Sequence, residues 1–222
     1  MSHARIANFA LTIRGDEPRF IPVSVRSAAR KPTVKLRARA AVSTAILEAA
    51  EEVAAERCLD ATSTAAIAER AGVAVGTLYN YFVDREGLVS ALFKWRRDQI
   101  IPAIFAAAEA TRALPFEQRL HRYLTGVVEV FESYRQFIRV AMSADQSGIK
   151  IKGRNPPAVL GSVTNELEDI LRHVSTDRAG EYARMLFGGL KGLLNWRVEN
   201  NQPMVSDAAL VVDTFLSGMM PR

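Results

Sequence analysis

Apolar residues recur every three to four positions through most of the chain, a spacing that is typical of amphipathic α-helices and not of strands. The predicted fold is therefore all-α. Helices are expected at about 33–57, 64–71, 74–81, from 84 onward, from 115 onward, and at 134–144, 158–174, 178–200 and 206–219. Residues 146–157 hold two glycines and the Pro156–Pro157 pair, so a loop is expected there.

Charge is concentrated at the N-terminal end. The 222 residues carry a net charge of +5, but residues 1–39 alone hold nine lysines and arginines against two acids, a net of +7, so the other 183 residues net −2. Residues 1–32 also contain Gly15 and three prolines without a sustained period, which predicts an extended or disordered basic arm. Such an arm suits phosphate or minor-groove contacts, and a solvated leader is the alternative.

Several classes of protein and site are disfavoured by composition. The single cysteine, Cys58, cannot form an intrachain disulfide, and three histidines with one cysteine leave no zinc-site spacing, so a cytoplasmic protein without a metal or cofactor is expected. No apolar run approaches the ~18 residues of a membrane span. The sequence has no P-loop, GxGxxG, HExxH or GxSxG motif, so an enzyme is not expected.

The segment from Ala65 to Phe82 carries the most information. It predicts two short helices joined by a turn, in which Ala68 allows a close helix crossing, Gly72 allows positive φ and Leu78 anchors the second helix in the core. The outward positions of that second helix then combine hydroxyls, an amide and aromatic rings: Ala74, Val75, Thr77, Tyr79, Asn80 and Tyr81. Such a face suits the DNA major groove, and an ordinary helical hairpin with a solvated face is the alternative.

Residues 36–92 resemble the TetR-like transcriptional regulators. The matching motifs are Ile46-Leu47-x-Ala49-Ala50, Thr62-Ser63-x-x-x-Ile67-Ala68-x-x-Ala71-Gly72-Val73, Gly76-Thr77-Leu78-Tyr79-x-Tyr81-Phe82 and Arg85-Glu86-x-Leu88. The resemblance implies an N-terminal three-helix helix-turn-helix DNA-binding domain at 33–84 and a C-terminal helical ligand-binding and dimerisation domain at 85–222.

The resemblance also implies roles for individual residues. Phosphate contacts are expected from Thr62 or Ser63 as the cap of the second helix, from Tyr79 and from Arg85, and groove contacts from Val75, Thr77, Asn80 and Tyr81. The basic arm is expected to add contacts from Arg26, Arg30, Lys31, Lys35, Arg37 and Arg39.

Three positions depart from the family pattern. Ala74 replaces the serine that usually caps the recognition helix, and Val75 replaces a residue that is often basic. Cys58 stands where a glycine usually ends the first helix, so we expect that turn to be built differently. Cys58 as a redox sensor is a further hypothesis, set against a small, partly buried apolar residue.

The C-terminal half predicts a dimer and a pocket. Glycine costs up to ~1 kcal/mol inside a helix, so three glycines in one helix predict the close approach of another helix, either in a second subunit or in the same one. The expected dimer residues are Gly188, Gly189, Gly192, Leu193, Val211 and Phe215. The expected walls of an effector pocket, each of which could equally be plain core, are Tyr123, Phe131, Tyr134, Phe137, Met142, His173, Met185 and Trp196.

These features together predict a homodimeric, ligand-responsive transcriptional regulator, most simply a repressor. It would bind a palindromic double-stranded operator through the helix at 74–81 and be released by a small-molecule effector of unknown identity. Two alternatives stay open: a constitutive DNA-binding protein, and a dimeric interaction protein without a small-molecule effector.

Overall fold

The computed structural model describes residues 33–146, 156–175, 177–204 and 207–219, and within these ranges it contains helices and no strand. The prediction of an all-α fold is confirmed. The helices are α1 (Val34–Arg57), α2 (Thr64–Arg70), α3 (Val75–Tyr79), α4 (Arg85–Glu109), α5 (Phe116–Ser133), α6 (Arg135–Gln146), α7 (Pro156–Leu171), α8 (Ala179–Glu199) and α9 (Asp207–Met219).

Two predicted segments fall wholly or mostly outside the described residues: the basic arm at 1–32, and residues 147–155 of the expected loop. Pro156 and Pro157 open α7, which differs from their predicted place in the loop. This fits the preference of proline for the first turn of a helix, where its missing N–H costs no hydrogen bond. The chain divides into two compact units, Met1–Arg39 and Ala40–Arg222.

Three predicted helix starts are confirmed by their capping hydrogen bonds. The backbone N–H of Leu36 donates to Thr33 Oγ1 at 3.4 Å, that of Ala66 to Ser63 Oγ at 3.2 Å, and that of Gly87 to Asp84 Oδ1 at 2.6 Å. Each cap satisfies one of the backbone donors that a helix start leaves unpaired.

The predicted core of the helix-turn-helix segment is also confirmed. Ile67, Ala68 and Leu78 are no more than 2% exposed, and Gly72 has a φ of 67°, the left-handed value that the turn needs. Because α2 has seven residues and α3 five, neither is stable alone, and this buried contact is what holds them.

Helix α4 extends from the helix-turn-helix segment into the C-terminal bundle. Its first half buries Leu88 and Leu92, and its second half, beyond Pro102, buries Ile104. The bundle is formed by α5 to α9, whose fully buried side chains include Leu124, Leu167, Leu190 and Val212. No helix within the described ranges combines the length and the apolar character that a membrane span requires.

Candidate nucleic-acid interface

Helix α3 turns one side chain into the protein and most of the others outward. Leu78 is fully buried, whereas Val75 is 40% exposed, Tyr79 is 46% exposed, and Asn80 at the C-cap is exposed. Thr77 is half-buried. This agrees with the predicted outward face at these positions.

Tyr81 differs from that prediction. It is partly buried and packs against the core that contains Leu78, so less of it faces outward than expected. The cap of α3 is absent as predicted, because Ala74 makes no side-chain capping hydrogen bond.

The two adjacent hydroxyls before α2 have opposite environments. Ser63 is the exposed N-cap. Thr62 is only 6% exposed, and its hydroxyl donates to the backbone carbonyl of Cys58 at 2.9 Å. This contradicts the predicted phosphate contact for Thr62 and leaves Ser63 as the candidate, because a buried hydroxyl with its proton already donated is withdrawn from an external anion.

Thr64, which was not among the predicted contact residues, lies beside Tyr79. Its hydroxyl lies 3.2 Å from the hydroxyl of Tyr79, and both side chains are reachable from solvent. The start of α2 and the end of α3 therefore place the hydroxyls of Ser63, Thr64 and Tyr79 in one region. Hydroxyls of this kind are common donors to DNA phosphates.

Arg85 is bonded to the backbone of the preceding loop. Its guanidinium donates from Nε to the carbonyl of Thr62 at 3.2 Å and from Nη2 to the carbonyls of Leu59 and Asp60. These bonds tie the loop between α1 and α2 to the first turn of α4. Nε and Nη2 are thus bonded to backbone carbonyls of the protein, and the phosphate clamp stays a prediction.

Cys58 ends α1 in the left-handed conformation, with a φ of 65°. The expectation of a differently built turn is therefore wrong: the backbone adopts the conformation that glycine commonly supplies at this position of a helix end. A side chain with a Cβ adopts this conformation at a cost in free energy. Cys58 is exposed and free, which also differs from a partly buried apolar residue.

Two basic residues of the predicted interface, Arg37 and Arg39, lie in the first two turns of α1 and are exposed. Lys35 is exposed as well. Arg26, Arg30 and Lys31 lie outside the described residues.

The predicted pocket walls separate into two groups. Tyr123, Phe131 and Phe137 are buried in the bundle core, and Tyr134 and Met142 are partly buried against it. In contrast, Met185 is 68% and Trp196 49% exposed, and His173 is exposed, with its ring stacked on Phe116 at 5.9 Å. These exposures contradict a place for Met185, Trp196 and His173 inside a pocket of this chain.

Tyr123 is the most deeply buried polar side chain of the bundle. Burial, together with the neighbouring Glu166 carboxylate, raises the pKa of its phenol above the usual range. The hydroxyl stays protonated and lies 3.5 Å from the carbonyl of Val163. It is therefore a neutral donor in the core of the bundle, close to the Glu166 carboxylate.

The predicted dimer residues also fall into two groups. Gly188, Gly189 and Gly192 are exposed, and a Cβ on any of them would meet no atom within 4 Å. Close packing within the described part of this chain therefore does not explain them. Leu193, Val211 and Phe215 are half-buried. Val211 and Phe215 pack against the core of their own subunit, and the ring of Phe215 lies edge-on to Tyr182 at 5.9 Å.

A three-helix unit whose short third helix is exposed, followed by a helical bundle, has the architecture of a helix-turn-helix domain with a C-terminal helical domain. Among the described residues, no group of three His, Cys, Asp or Glu side chains is placed to hold a metal ion.

Residues 46–92 match the family model of bacterial regulatory proteins of the tetR family, so this segment is similar to the proteins of that family. Proteins of that family are DNA-binding regulators and not enzymes. A segment of 56 residues, 25% of the chain, is 43% identical to the fatty acid metabolism regulator protein of Bacillus subtilis. The match spans only 29% of the length of that relative.

Solved structures resemble most of the chain at low sequence identity. The transcriptional regulator FadR from Bacillus subtilis, crystallised in complex with stearoyl-CoA, superposes with a TM-score of 0.65 at 22% identity, covering 80% of this chain and 99% of FadR. A TetR-like regulator from Rhodococcus sp. RHA1 gives 0.68 at 19% identity, covering 87% and 100%. At these identities the likeness shows the fold.

Proposed function

We propose that the protein is a homodimeric transcriptional repressor that binds a palindromic operator through α3 and releases it when a small molecule binds the C-terminal bundle. The observation that carries the proposal is the outward face of α3, which buries Leu78 alone and exposes apolar, aromatic and amide groups. The organisation that goes with it is an arm at 1–32, a DNA-binding domain at 33–84 and an effector domain at 85–222.

The exposed groups of α3 match what the major groove offers. The Asn80 amide has the donor and acceptor that pair with adenine N7 and N6, and the Val75 and Thr77 methyl groups suit contact with a thymine methyl. Ser63 and Tyr79 would donate to phosphates on either side. Residues 74–82 carry no Lys or Arg, so the ionic part of the affinity would come from Arg37, Arg39 and the basic arm.

The DNA-binding proposal is tested with duplexes that the protein itself selects from a random-sequence library. We expect Tyr79→Ala to abolish specific binding, because it removes a phosphate donor and an exposed ring from each recognition helix. Val83→Ala is the matched control, since Val83 is 90% exposed but lies beyond α3. Equal affinity of Tyr79→Ala and the wild type would refute the assigned recognition helix.

The dimer proposal rests on one exposed face of α8. Met185, Gly188, Gly189, Gly192 and Trp196 are all exposed, and Leu210 of α9 is 59% exposed. Apolar side chains beside glycines give a surface that a second copy can approach closely, and a two-fold dimer fits a palindromic operator. Sedimentation should show twice the 24.4 kDa of one chain. A monomer at micromolar concentration would contradict the proposal.

The proposed effector class is a long-chain acyl-CoA. Its support is the likeness of the DNA-binding segment to a fatty acid metabolism regulator and of the fold to FadR in its stearoyl-CoA complex. The apolar interior around Leu124, Phe131 and Phe137 has the chemistry that an acyl chain needs. Stearoyl-CoA should release the selected duplex, whereas coenzyme A alone should not. Failure of both to release DNA would reject this effector class and leave the DNA-binding proposal standing.

A further inference from the structure

Glu51 of α1 and Arg96 of α4 form a buried, bidentate ion pair. Arg96 Nε donates to Glu51 Oε2 at 2.6 Å and Nη2 donates to Oε1 at 3.1 Å. The side chain of Glu51 is only 5% exposed and that of Arg96 17%. The two residues are 45 positions apart in the sequence, so the pair joins two separate elements of the fold.

The guanidinium of Arg96 also contacts the C-terminal bundle. It lies 5.4 Å from the ring centroid of Tyr134, the residue between α5 and α6, and 4.1 Å from that of Trp95. Its Nη1 donates to Gln99 Oε1 at 3.1 Å. Arg96 therefore touches α1, its own helix and the α5–α6 junction at once, with attraction between cation and ring on one side and hydrogen bonds on the other.

Helix α1 is in turn bound to α2. Arg70 of α2 pairs with Glu52 and Glu56 of α1, at 3.0 Å in each case. Side chains of α1, α2 and α4 also line one small cavity, among them Ala50, Ile67 and Leu88. A shift of α1 relative to α4 would therefore carry α2, and with it the packed α3, along.

The ion pair fixes geometry in a way that apolar contacts do not. Replacing a buried ion pair by well-packed apolar residues is often neutral for stability, so stability alone does not account for Glu51 and Arg96. Two parallel N–H···O bonds are directional, however, and hold two helices in one relative orientation. Apolar side chains at the same place would permit small rotations and shifts.

We propose that Arg96 is a positioning residue, through which the α5–α6 junction sets the orientation of the DNA-reading helices. Movement of Tyr134 would displace the guanidinium, and the bidentate bonds would pass this displacement to Glu51 and so to α1. The consequence for DNA binding rests on the proposed function, but the mechanical link between α4 and α1 does not.

The link is tested first without DNA or effector, by a distance between spin labels. Cys58, the single cysteine of the chain, marks the end of α1, and Glu129→Cys marks an exposed position of α5 close to Tyr134. Labelled protein is diluted into unlabelled Cys58→Ser protein, so that only distances within one subunit are measured.

Three variants are compared in this labelled background. Glu51→Leu/Arg96→Met removes both charges without leaving one unpaired, and Arg96→Lys keeps the charge but not the two parallel bonds. Lys94→Met is the matched control, since it breaks an exposed ion pair, with Asp98, on the same helix as Arg96. We expect the first two to broaden or shift the distance distribution and the control to leave it unchanged. A folded double variant with the wild-type distribution would overturn the link.

The functional consequence is measured on duplexes selected by the wild-type protein. Glu51→Leu/Arg96→Met should lose about tenfold in DNA affinity, which is within the usual range of coupling between sites, while Lys94→Met should not. A changed distance distribution with unchanged DNA affinity would overturn the positioning role. If the wild type selects no duplex, the proposed function fails, and the spin-label distances still decide whether the link exists.

Discussion

The outward faces of α3 and α8 are both largely exposed in the described part of the chain, but their chemistry differs. The face of α3 shows Val75, Tyr79 and Asn80, which combine apolar contact with hydrogen-bonding groups. The face of α8 shows Met185 and Trp196 beside three glycines, and has few groups that read a pattern of donors and acceptors.

Each of the two faces suits a different kind of partner. A DNA groove is lined by donors, acceptors and methyl groups, so a face that recognises it needs matching polar groups in fixed places. A second copy of α8 presents the same apolar surface. The affinity between two subunits would therefore depend on the area of contact and on how closely the two helices approach each other. Glycine has no value at an open helix surface unless another backbone comes near.

The largest effect is expected from a side chain that blocks the α8 face. Gly189→Arg should give a monomer and weaken operator binding by about 100-fold or more, because a single helix-turn-helix unit loses the second half-site. Within the subunit the change should be tolerated, since a Cβ at Gly189 meets nothing within 4 Å and arginine is the better helix former by up to ~1 kcal/mol. Sedimentation and DNA binding measure the two effects.

The control for this charge is Gln118→Arg, at an exposed position of α5. It should leave both the dimer and the operator affinity intact. A persistent Gly189→Arg dimer would show that the contact between subunits lies elsewhere.

A smaller and more selective loss is expected on the α3 face. Asn80→Ala should cost about 1–3 kcal/mol against the selected operator and relax the preference at one base pair in each half-site. Tyr79→Phe removes a hydroxyl proposed to contact phosphate, so it should weaken all duplexes about equally. Binding to a set of single-base operator variants separates the two outcomes. If Asn80→Ala lost the same affinity for every operator variant, Asn80 would not contact a base.

The buried hydroxyl of Thr62 should matter for stability and not for DNA. Thr62→Val keeps the shape but leaves the Cys58 carbonyl without this donor, at a cost of about 1–2 kcal/mol of unfolding free energy. Ser63→Ala should cost about 1 kcal/mol through the lost cap and should weaken DNA binding as well. Urea unfolding and DNA binding are compared for both. If Thr62→Val bound DNA more weakly at unchanged stability, Thr62 would have to be counted as a phosphate contact despite its burial.

Local features were predicted better than long-range ones. The helix starts at about 33, 64 and 84 could be predicted because a capping side chain bonds to a backbone group only three residues further along. Gly72 and Leu78 were readable because a turn and its anchor lie close together in the sequence. The fold class and the outward face of α3 followed from these.

Side-chain direction over longer distances was not predicted. Arg85 bonds to carbonyls 23 to 26 positions away, and the Arg96 pair spans 45, separations for which the sequence gives no geometric signal. Helix α8 is apolar around much of its circumference, so periodicity could not decide that Met185 and Trp196 face outward. Tertiary packing determines which side of such a helix is exposed, and the helical period of the sequence carries no information on that packing.

The smallest effect is expected at Cys58, and it has the opposite sign. The exposed glycines of α8 occupy positions where the backbone does not need glycine, whereas Cys58 adopts the left-handed conformation that glycine adopts at little cost. Cys58→Gly should therefore raise the free energy of unfolding by about 0.5–1 kcal/mol, since relief of the left-handed penalty exceeds the added freedom of the unfolded chain. Cys58→Ala keeps the penalty and should give no such gain in urea unfolding. Equal stability of the two variants would show that the turn after α1 carries no strain. Cys58 would then be no better a site for glycine than the exposed positions of α8.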